Sequence, residues 1–391
     1  MNYILFDGET RDNLLPFTYT RPVADIRCGI LTLREKWEHF LNSTTSTITE
    51  DYLSEKYPMV EFKENILINS SIIPNEHLVN TIKKLNQNQA LYDDDLLIAF
   101  YSKEDEEVQL DKQEKIQYKK TVKQISNTYD IFSLNGEEIT GDFKLITANR
   151  NSQEIPSHIQ TQNPENIFIE TGAILEHVIL NASEGVIYIG KNSKILDGSL
   201  IRGPFALGEE SVIKMGTKIY KNTTIGVNCK VGGEVSNAVI FGNSNKGHDG
   251  YLGNAVIGEW CNIGAGSNNS NLKNDYSEVK LWNYESERFL KTGLQFCGLM
   301  LGDHSKCAID TQFNTGTVVG IFANIFGSGF PKNFIPSFTW GGKQGLKEYN
   351  ITKAFQVAEA VLKRRNQLLT DTDKRILEAI FEDTKQYRAK L

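Results

Sequence analysis

Residues 189–231 read IGKNSKILDGSLIRGPFALGEESVIKMGTKIYKNTTIGVNCKV. In steps of six from the first residue they give Ile189, Ile195, Ile201, Leu207, Ile213, Ile219, Ile225 and Val231, all aliphatic. Four positions after most of them stands a small residue: Ser193, Ser199, Ser211, Thr217, Thr223 and Cys229, with Phe205 the exception. The register returns at Ile257 and Ile263, then at Leu301, Cys307, Phe313, Val319 and Ile325, and a fragment, Ile169 and Leu175, precedes it. A period of six fits neither a helix nor an alternating strand. It fits a β-solenoid with three flat sides per coil, each side one hexapeptide. The aliphatic residue points inward and stacks on its equivalents about one strand spacing, ~4.8 Å, above and below. The small residue fits near the corner.

Two stretches break the period. One is 237–254, which contains NSNKGHDGYLG; the other is 267–297. Solenoids accept insertions at their corners, and inserted loops tend to carry function. Both breaks are therefore expected to be such loops, with His248 at the centre of the first.

The periodic region is similar to the hexapeptide-repeat proteins. That resemblance implies a left-handed parallel β-helix assembled as a homotrimer with active sites between subunits. Within it, GHDGYLGNAVIGEWCNIGAGSNNSN resembles the acetyltransferase domain of GlmU-type bifunctional enzymes, in the shorter, divergent version found in some bacteria. These enzymes join N-acetylglucosamine-1-phosphate uridyltransferase and glucosamine-1-phosphate acetyltransferase activities and make a cell wall precursor. The matching positions are His248, Tyr251, Gly253, the run from Asn262 to Gly266, and Asn271, with Asp310–Gln312 further on. The resemblance covers about residues 165–340. It implies His248 as general base, and Tyr251, Asn262 and Asn271 as sugar-orienting groups. It also implies Ala265, Ile309 and Gly327 at the acetyl-CoA. The family lysine for the substrate phosphate is Ser236 here, so Lys218 and Lys246 are the candidates for that contact.

The chemistry suits these residue types. An amino sugar is mostly protonated near neutral pH, and a histidine accepts its proton as the nitrogen attacks the thioester. A lone loop histidine is most simply a solvated side chain; the spacing of Tyr251, Asn262 and Asn271 is what favours catalysis. A zinc site of His177, His248 and His304, as in some trimeric solenoids, is disfavoured by their separation along the coils. His304 is expected to be a solvated side chain.

Residues 1–160 lack the period. MNYILFDG, NILINSSIIP and LLIAFYS read as strands and GILTLREKWEHFL as an amphipathic helix, an α/β pattern. The opening FDGETRDNLLPFTYTRPVADIR resembles sugar-1-phosphate nucleotidyltransferases. That implies a phosphate-cradling turn at Gly8 and Arg11, with Arg21 or Arg27 in the role of a family lysine whose place Val23 takes here. It also implies UTP as substrate with Mg²⁺. Asp93, Asp94 and Asp95 are candidate magnesium ligands or simply a turn, so the metal site is unknown. The charged segment 101–120 reads as a solvated loop or helix. Residues 351–391 have helical spacing, with TDTD placed to cap a second helix that closes the solenoid end or packs on a neighbouring subunit.

The expected domains are thus 1–160, 161–340 and 341–391. A net charge of -7 argues against general nucleic-acid or anionic-membrane binding. No apolar run approaches the ~20 residues of a membrane span, no secretory signal is visible, and Cys28, Cys229, Cys261, Cys297 and Cys307 form no C-x-x-C pair. Reduced thiols in a cytoplasmic protein are expected. The leading expectation is acetyl-CoA-dependent N-acetylation of glucosamine-1-phosphate coupled to uridylyl transfer, giving UDP-N-acetylglucosamine. The alternatives are acyl transfer alone, with a nucleotide-binding front domain, and a non-enzymatic nucleotide sensor on a trimeric scaffold.

Overall fold

The computed structural model describes residues 1–105 and 108–389 of the chain. It separates into two compact units. The first holds residues 1–14, 18–26 and 31–127; the second holds 15–17, 27–30 and 128–391.

The first unit is built on one six-stranded sheet. Ser46–Ile48, Asn2–Phe6 and Glu64–Asn69 run parallel, and Leu96–Lys103 pairs antiparallel to the last of these. The expected helix is Leu33–Leu41, whose Thr32 and Glu35 form a reciprocal capping box. Trp37 on that helix is fully buried and donates its indole N–H to the Ile72 carbonyl at 2.9 Å. Asp93–Asp95 make the tight turn between Gln89–Asp93 and Leu96–Lys103, with Asp94 at φ 49°. The charged segment differs from expectation: Leu110–Lys112 is a 3₁₀ turn and Glu114–Gln117 an edge strand parallel to Gln89–Asp93. Glu106 and Glu107 of that segment lie outside the described residues. An edge strand tolerates such charge because one side faces water and like charges block further pairing.

The second unit is a parallel β-helix followed by helices, as the six-residue period requires. Side one carries Ile167–Ile169, Ile187–Ile189, Phe205–Leu207 and their successors. Side two carries Ile174–Leu175, Lys194–Ile195, Val212–Ile213 and Lys230–Val231. Side three carries Ile179–Asn181, Leu200–Arg202 and Lys218–Ile219. All eight aliphatics from Ile189 to Val231 are at most 3% exposed. The small corner residues do more than save space. Ser211 Oγ donates to the Gly226 carbonyl at 2.6 Å and accepts from Cys229 N at 2.8 Å, tying one coil to the next. The five cysteines are buried free thiols.

One corner of the coil repeats a left-handed backbone: Asn192, Glu210, Asn228, Asn243, Trp260, His304, Phe322 and Phe338 all have φ between 53° and 61°. Asn tolerates this conformation, whereas a bulky side chain pays for it. From Trp260 onward the corner side chains stack instead, with centroids 6.2 Å apart for Trp260–His304, 4.4 Å for His304–Phe322 and 5.2 Å for Phe322–Phe338. His304 is therefore part of an aromatic ladder rather than a solvated side chain.

The first break in the period is not an inserted loop. Val231 pairs with Lys246 and Asn245 with Asn262, steps of fifteen and seventeen residues where Ile213 to Val231 takes eighteen. The chain shortens the coil by running sides three and one together as the single strand Glu234–Gly242, and again as Tyr251–Ile257. Asn245–Lys246 is side two itself. Contraction shifts the register of six without leaving the solenoid, which is why periodicity alone reads it as an interruption. The second break is a true insertion, since Ile263 pairs with Cys307; it holds the hairpin Lys280–Asn283 and Arg288–Lys291.

The second compact unit takes in the chain from Thr128, because helix Asp130–Thr147 packs with the solenoid. Its Asn135 Oδ1 accepts from Gly29 N at 2.8 Å and from Thr224 Oγ1 at 3.0 Å. At the far end, helix Ile351–Lys363 buries Ala354, Ala358 and Leu362 at a spacing of four, one face of a helix. Helix Asp371–Asp383 is capped by Thr370 and Asp373, as TDTD predicts. Phe381 meets Phe338 edge-on at 5.1 Å, so these helices pack on the end of the aromatic ladder.

Candidate functional site

His248 stands at the corner between sides two and three, directly after Asn245–Lys246 and before Tyr251–Ile257. The corner needs glycine. Gly250 has φ 123°, and a Cβ there would lie 2.0 Å from the Ser267 carbonyl oxygen of the next coil. The His248 side chain is exposed and opens onto a cavity of about 670 Å³ along side two.

That cavity brings together His248, Asn262, Ala265 and Ile309 of the residues expected from sequence. Its cations are Lys214, Lys230, Lys306, Arg364 and Arg365, and no Asp or Glu is among its described lining residues. A cleft of one sign concentrates anionic ligands. Lys306 is partly fixed: its amine donates to the His304 carbonyl at 2.9 Å, and burial pushes its pKa down. Arg364 and Arg365 follow directly on helix Ile351–Lys363, whose Val361 also lines the cavity. Sequence reasoning missed all five cations. The lysines were legible, since Lys230 and Lys306 immediately precede the inward residues Val231 and Cys307 and so must face outward on side two. The arginines were not, because nothing local says where the helix docks.

Side three carries a second group. Asn271 Nδ2 donates to Tyr251 Oη at 3.0 Å and to Asn254 Oδ1 at 2.8 Å. Tyr251 is half-buried, and burial raises its pKa, so it stays a neutral phenol. Lys218 shares this side, two coils away in the outward row Lys218, Glu234, Tyr251. His248 thus sits at the edge shared by a cationic wall and a side that carries the Tyr251–Asn271 hydrogen bond beside Glu234.

Four expected contacts differ. Lys246 is only 3% exposed and points into the solenoid, where its amine donates to the carbonyls of Gly232 at 2.9 Å and His248 at 3.0 Å. It does not present itself to a substrate phosphate, because it occupies the inward position paired with Val231. Gly327 lies at a later corner against Gln344 and does not line the cavity of Ala265 and Ile309. In the front unit, Arg11 is folded inward rather than offered to a phosphate. Its guanidinium donates to the Thr18 carbonyl at 2.9 Å and Tyr52 Oη at 2.8 Å, and pairs with Asp7 at 3.5 Å. Arg21 is also buried, at 5% exposure, while Gly8 packs against the Asn69 side chain.

Asp7, the carboxylate beside the glycine turn, accepts from Val23 N and Thr49 Oγ1, both at 2.7 Å. Burial pushes its pKa up against the opposing effect of those bonds. Among the described residues no three His, Cys, Asp or Glu side chains converge to hold a metal ion. His177 lies on an earlier coil, paired with Asp197 at 3.2 Å. A second cavity, about 760 Å³, lies beside the inserted hairpin against Trp282, Phe334 and Tyr387; it is the larger, but it holds none of the motif residues. Among the described residues no helix is long and apolar enough to cross a membrane.

A model of the sugar nucleotidyl transferase family matches residues 3–151. A bifunctional sugar-1-phosphate nucleotidylyltransferase/acetyltransferase of Sulfurisphaera tokodaii is 31% identical over 149 residues, 37% of this chain and 36% of that protein. The bifunctional protein GlmU of Wolbachia pipientis is 34% identical over 152 residues, 34% of each chain. An Escherichia coli protein named as the uncharacterized acetyltransferase YaiX is 25% identical over 197 residues, 50% of this chain and 83% of its own length. The chain therefore spans about a third of the length of the bifunctional relatives it matches. Among solved structures, Arabidopsis UDP-N-acetylglucosamine acyltransferase aligns with 60% of this chain and 91% of its own at 15% identity and a TM-score of 0.24. In sequence the chain is similar to GlmU-type proteins, with a nucleotidyltransferase-like α/β unit ahead of the β-helix.

Proposed function

We propose that this chain acetylates an amino-sugar 1-phosphate, glucosamine-1-phosphate, from acetyl-CoA at His248, and that the front unit joins the product to the uridylyl group of UTP. The observation that carries the reading is the position of His248 between the cationic cavity and the Tyr251–Asn271 wall. The polyphosphate of acetyl-CoA suits the first; the uncharged hydroxyls of a sugar suit the second. His248 takes a proton from the amine as its nitrogen forms a bond to the thioester carbon. The C–S bond then breaks, and the sulfur leaves as the CoA thiol with the proton that His248 took from the amine. Uridylyl transfer releases pyrophosphate, for which magnesium is the proposed counter-ion.

A second reading, acyl transfer with a front unit that binds nucleotide without turning it over, is favoured by the inward commitment of Arg11 and Arg21. One incubation separates the two. With acetyl-CoA, glucosamine-1-phosphate, UTP and Mg²⁺, the first reading gives UDP-N-acetylglucosamine and pyrophosphate. The second stops at N-acetylglucosamine-1-phosphate, and a chain that yields neither product is outside both. Calorimetry is expected to show UTP binding with Mg²⁺ in either case; its absence removes the front unit from the scheme.

The same face supports a homotrimer. Ile179, Leu200 and Tyr220 on side three are 41–46% exposed and line an apolar groove rimmed by Glu184, Arg202 and Lys221. Exposed apolar area of this kind is commonly covered by a partner, and a second copy would place its wall beside the Tyr251 cluster. Sedimentation at micromolar concentration is expected to give a trimer. A fully active monomer would contradict this.

A further inference from the structure

Lys246 is the one break in an otherwise apolar inward row. Along side two that row runs Leu175, Ile195, Ile213, Val231, then Lys246, then Ile263, Cys307 and Ile325. Every other member is a buried aliphatic or a thiol at 6% exposure or less. A lysine is a poor choice for such a row unless its amine finds acceptors, since an unbonded buried amine is costly. Here it finds two backbone carbonyls, those of Gly232 and His248.

The surroundings are shaped for that contact. A Cβ on Gly233 would lie 2.8 Å from the Lys246 amine, and a Cβ on Gly232 would lie 2.9 Å from the Gly247 carbonyl. The pair Gly232–Gly233 therefore lets the amine and the 247–248 backbone close on the preceding coil. Burial pushes the amine down to about 8, with the Asp249 carboxylate opposing. The amine needs only two of its hydrogens for the two carbonyls it reaches. This is also where the coil is shortest, so the contraction delivers the residue before the catalytic corner into the core.

We propose that Lys246 is the positioning residue for His248: its buried amine ties the His248 carbonyl to the coil below, so that the exposed imidazole projects from a fixed backbone. This rests on the reading of His248 as the base. The role is distinct from filling the core, and the two separate experimentally. Lys246→Met keeps the length and apolar fit of the stem and removes both hydrogen bonds. Lys246→Gln keeps two N–H donors on a shorter stem.

In the full-length protein, Lys246→Met is expected to fold and to keep the KM for acetyl-CoA, while kcat falls roughly ten- to a hundred-fold, the scale of misplacing a reacting group by about an ångström. Lys246→Gln is expected to recover part of that loss. Hydrogen exchange of the amides at 247–250 is expected to quicken in Lys246→Met, and this readout needs no activity. If folded Lys246→Met shows parental exchange at 247–250, the anchor is overturned whatever the enzyme does. If exchange quickens but kcat of Lys246→Met stays within twofold of the parent, the anchor holds the corner without serving catalysis, and the proposal falls. If the parent transfers no acetyl group to any amino sugar, the reading of His248 fails instead, and the exchange result still decides whether Lys246 fixes the corner.

Discussion

Acetyl transfer by the His248→Ala protein is expected to fall by about 10²–10⁴-fold, the usual range for losing a positioned acid–base group. The loss should appear in kcat more than in acetyl-CoA affinity, because the imidazole acts on the amine proton during attack. Nothing in the coil depends on the side chain. It is exposed, and the corner is held by backbone: Gly266 N donates to the Asp249 carbonyl at 2.9 Å and Glu234 N to the Gly250 carbonyl at 3.1 Å. The variant should therefore melt with the parent. Asn271→Ala makes a useful contrast. Its amide bridges Tyr251 and Asn254 on side three, so its removal should weaken sugar use with a smaller effect on the chemical step. A folded His248→Ala protein that keeps its rate within a few-fold would reduce the histidine to a loop residue.

The second large effect is expected at the helix end. Replacing Arg364 and Arg365 together by Ala should raise the KM for acetyl-CoA roughly ten- to a hundred-fold with kcat little changed. Each charge-assisted contact to phosphate contributes on the order of 1 kcal/mol where solvent still reaches it, and about tenfold in affinity is 1.4 kcal/mol. The parent's KM should also climb with ionic strength, and the double variant's should climb less, since exposed charges are screened within ~10 Å at 0.1 M salt. Leu362, which docks the helix, is untouched, so the fold should survive. An unchanged KM would place the donor's phosphates elsewhere.

How much of this was legible beforehand follows from what kind of signal each feature leaves. The solenoid announces itself because each coil repeats one steric demand, an aliphatic inside and a small hydroxyl at the corner, and Ile189 to Val231 meet it without exception at the inward position. The corner at His248 was legible as a motif, and His248, Asn262, Ala265 and Ile309 share a cavity. What the pattern hid was geometry that depends on neighbouring coils. A lysine beside a histidine in sequence reads as a surface charge. Only the shortened coil turns Lys246 into the core. Likewise Arg11 looks like a phosphate ligand until the Thr18 carbonyl and Tyr52, forty-one residues on, are seen to occupy it. The docking of Arg364 is of the same kind: it is set by Ala354, Ala358 and Leu362 finding a surface, which no local rule specifies.

The most direct test is steady-state release of the CoA thiol from acetyl-CoA, followed across a panel of sugars. The panel pairs glucosamine-1-phosphate with glucosamine, glucosamine-6-phosphate, glucose-1-phosphate and UDP-glucosamine. Thiol release should be fastest with glucosamine-1-phosphate, absent with glucose-1-phosphate, which has no amine, and matched mole for mole by N-acetylated product. Release that never exceeds hydrolysis in the absence of acceptor, for every amine in the panel, would contradict the assignment of the His248 cavity as an amino-sugar acetyltransferase site.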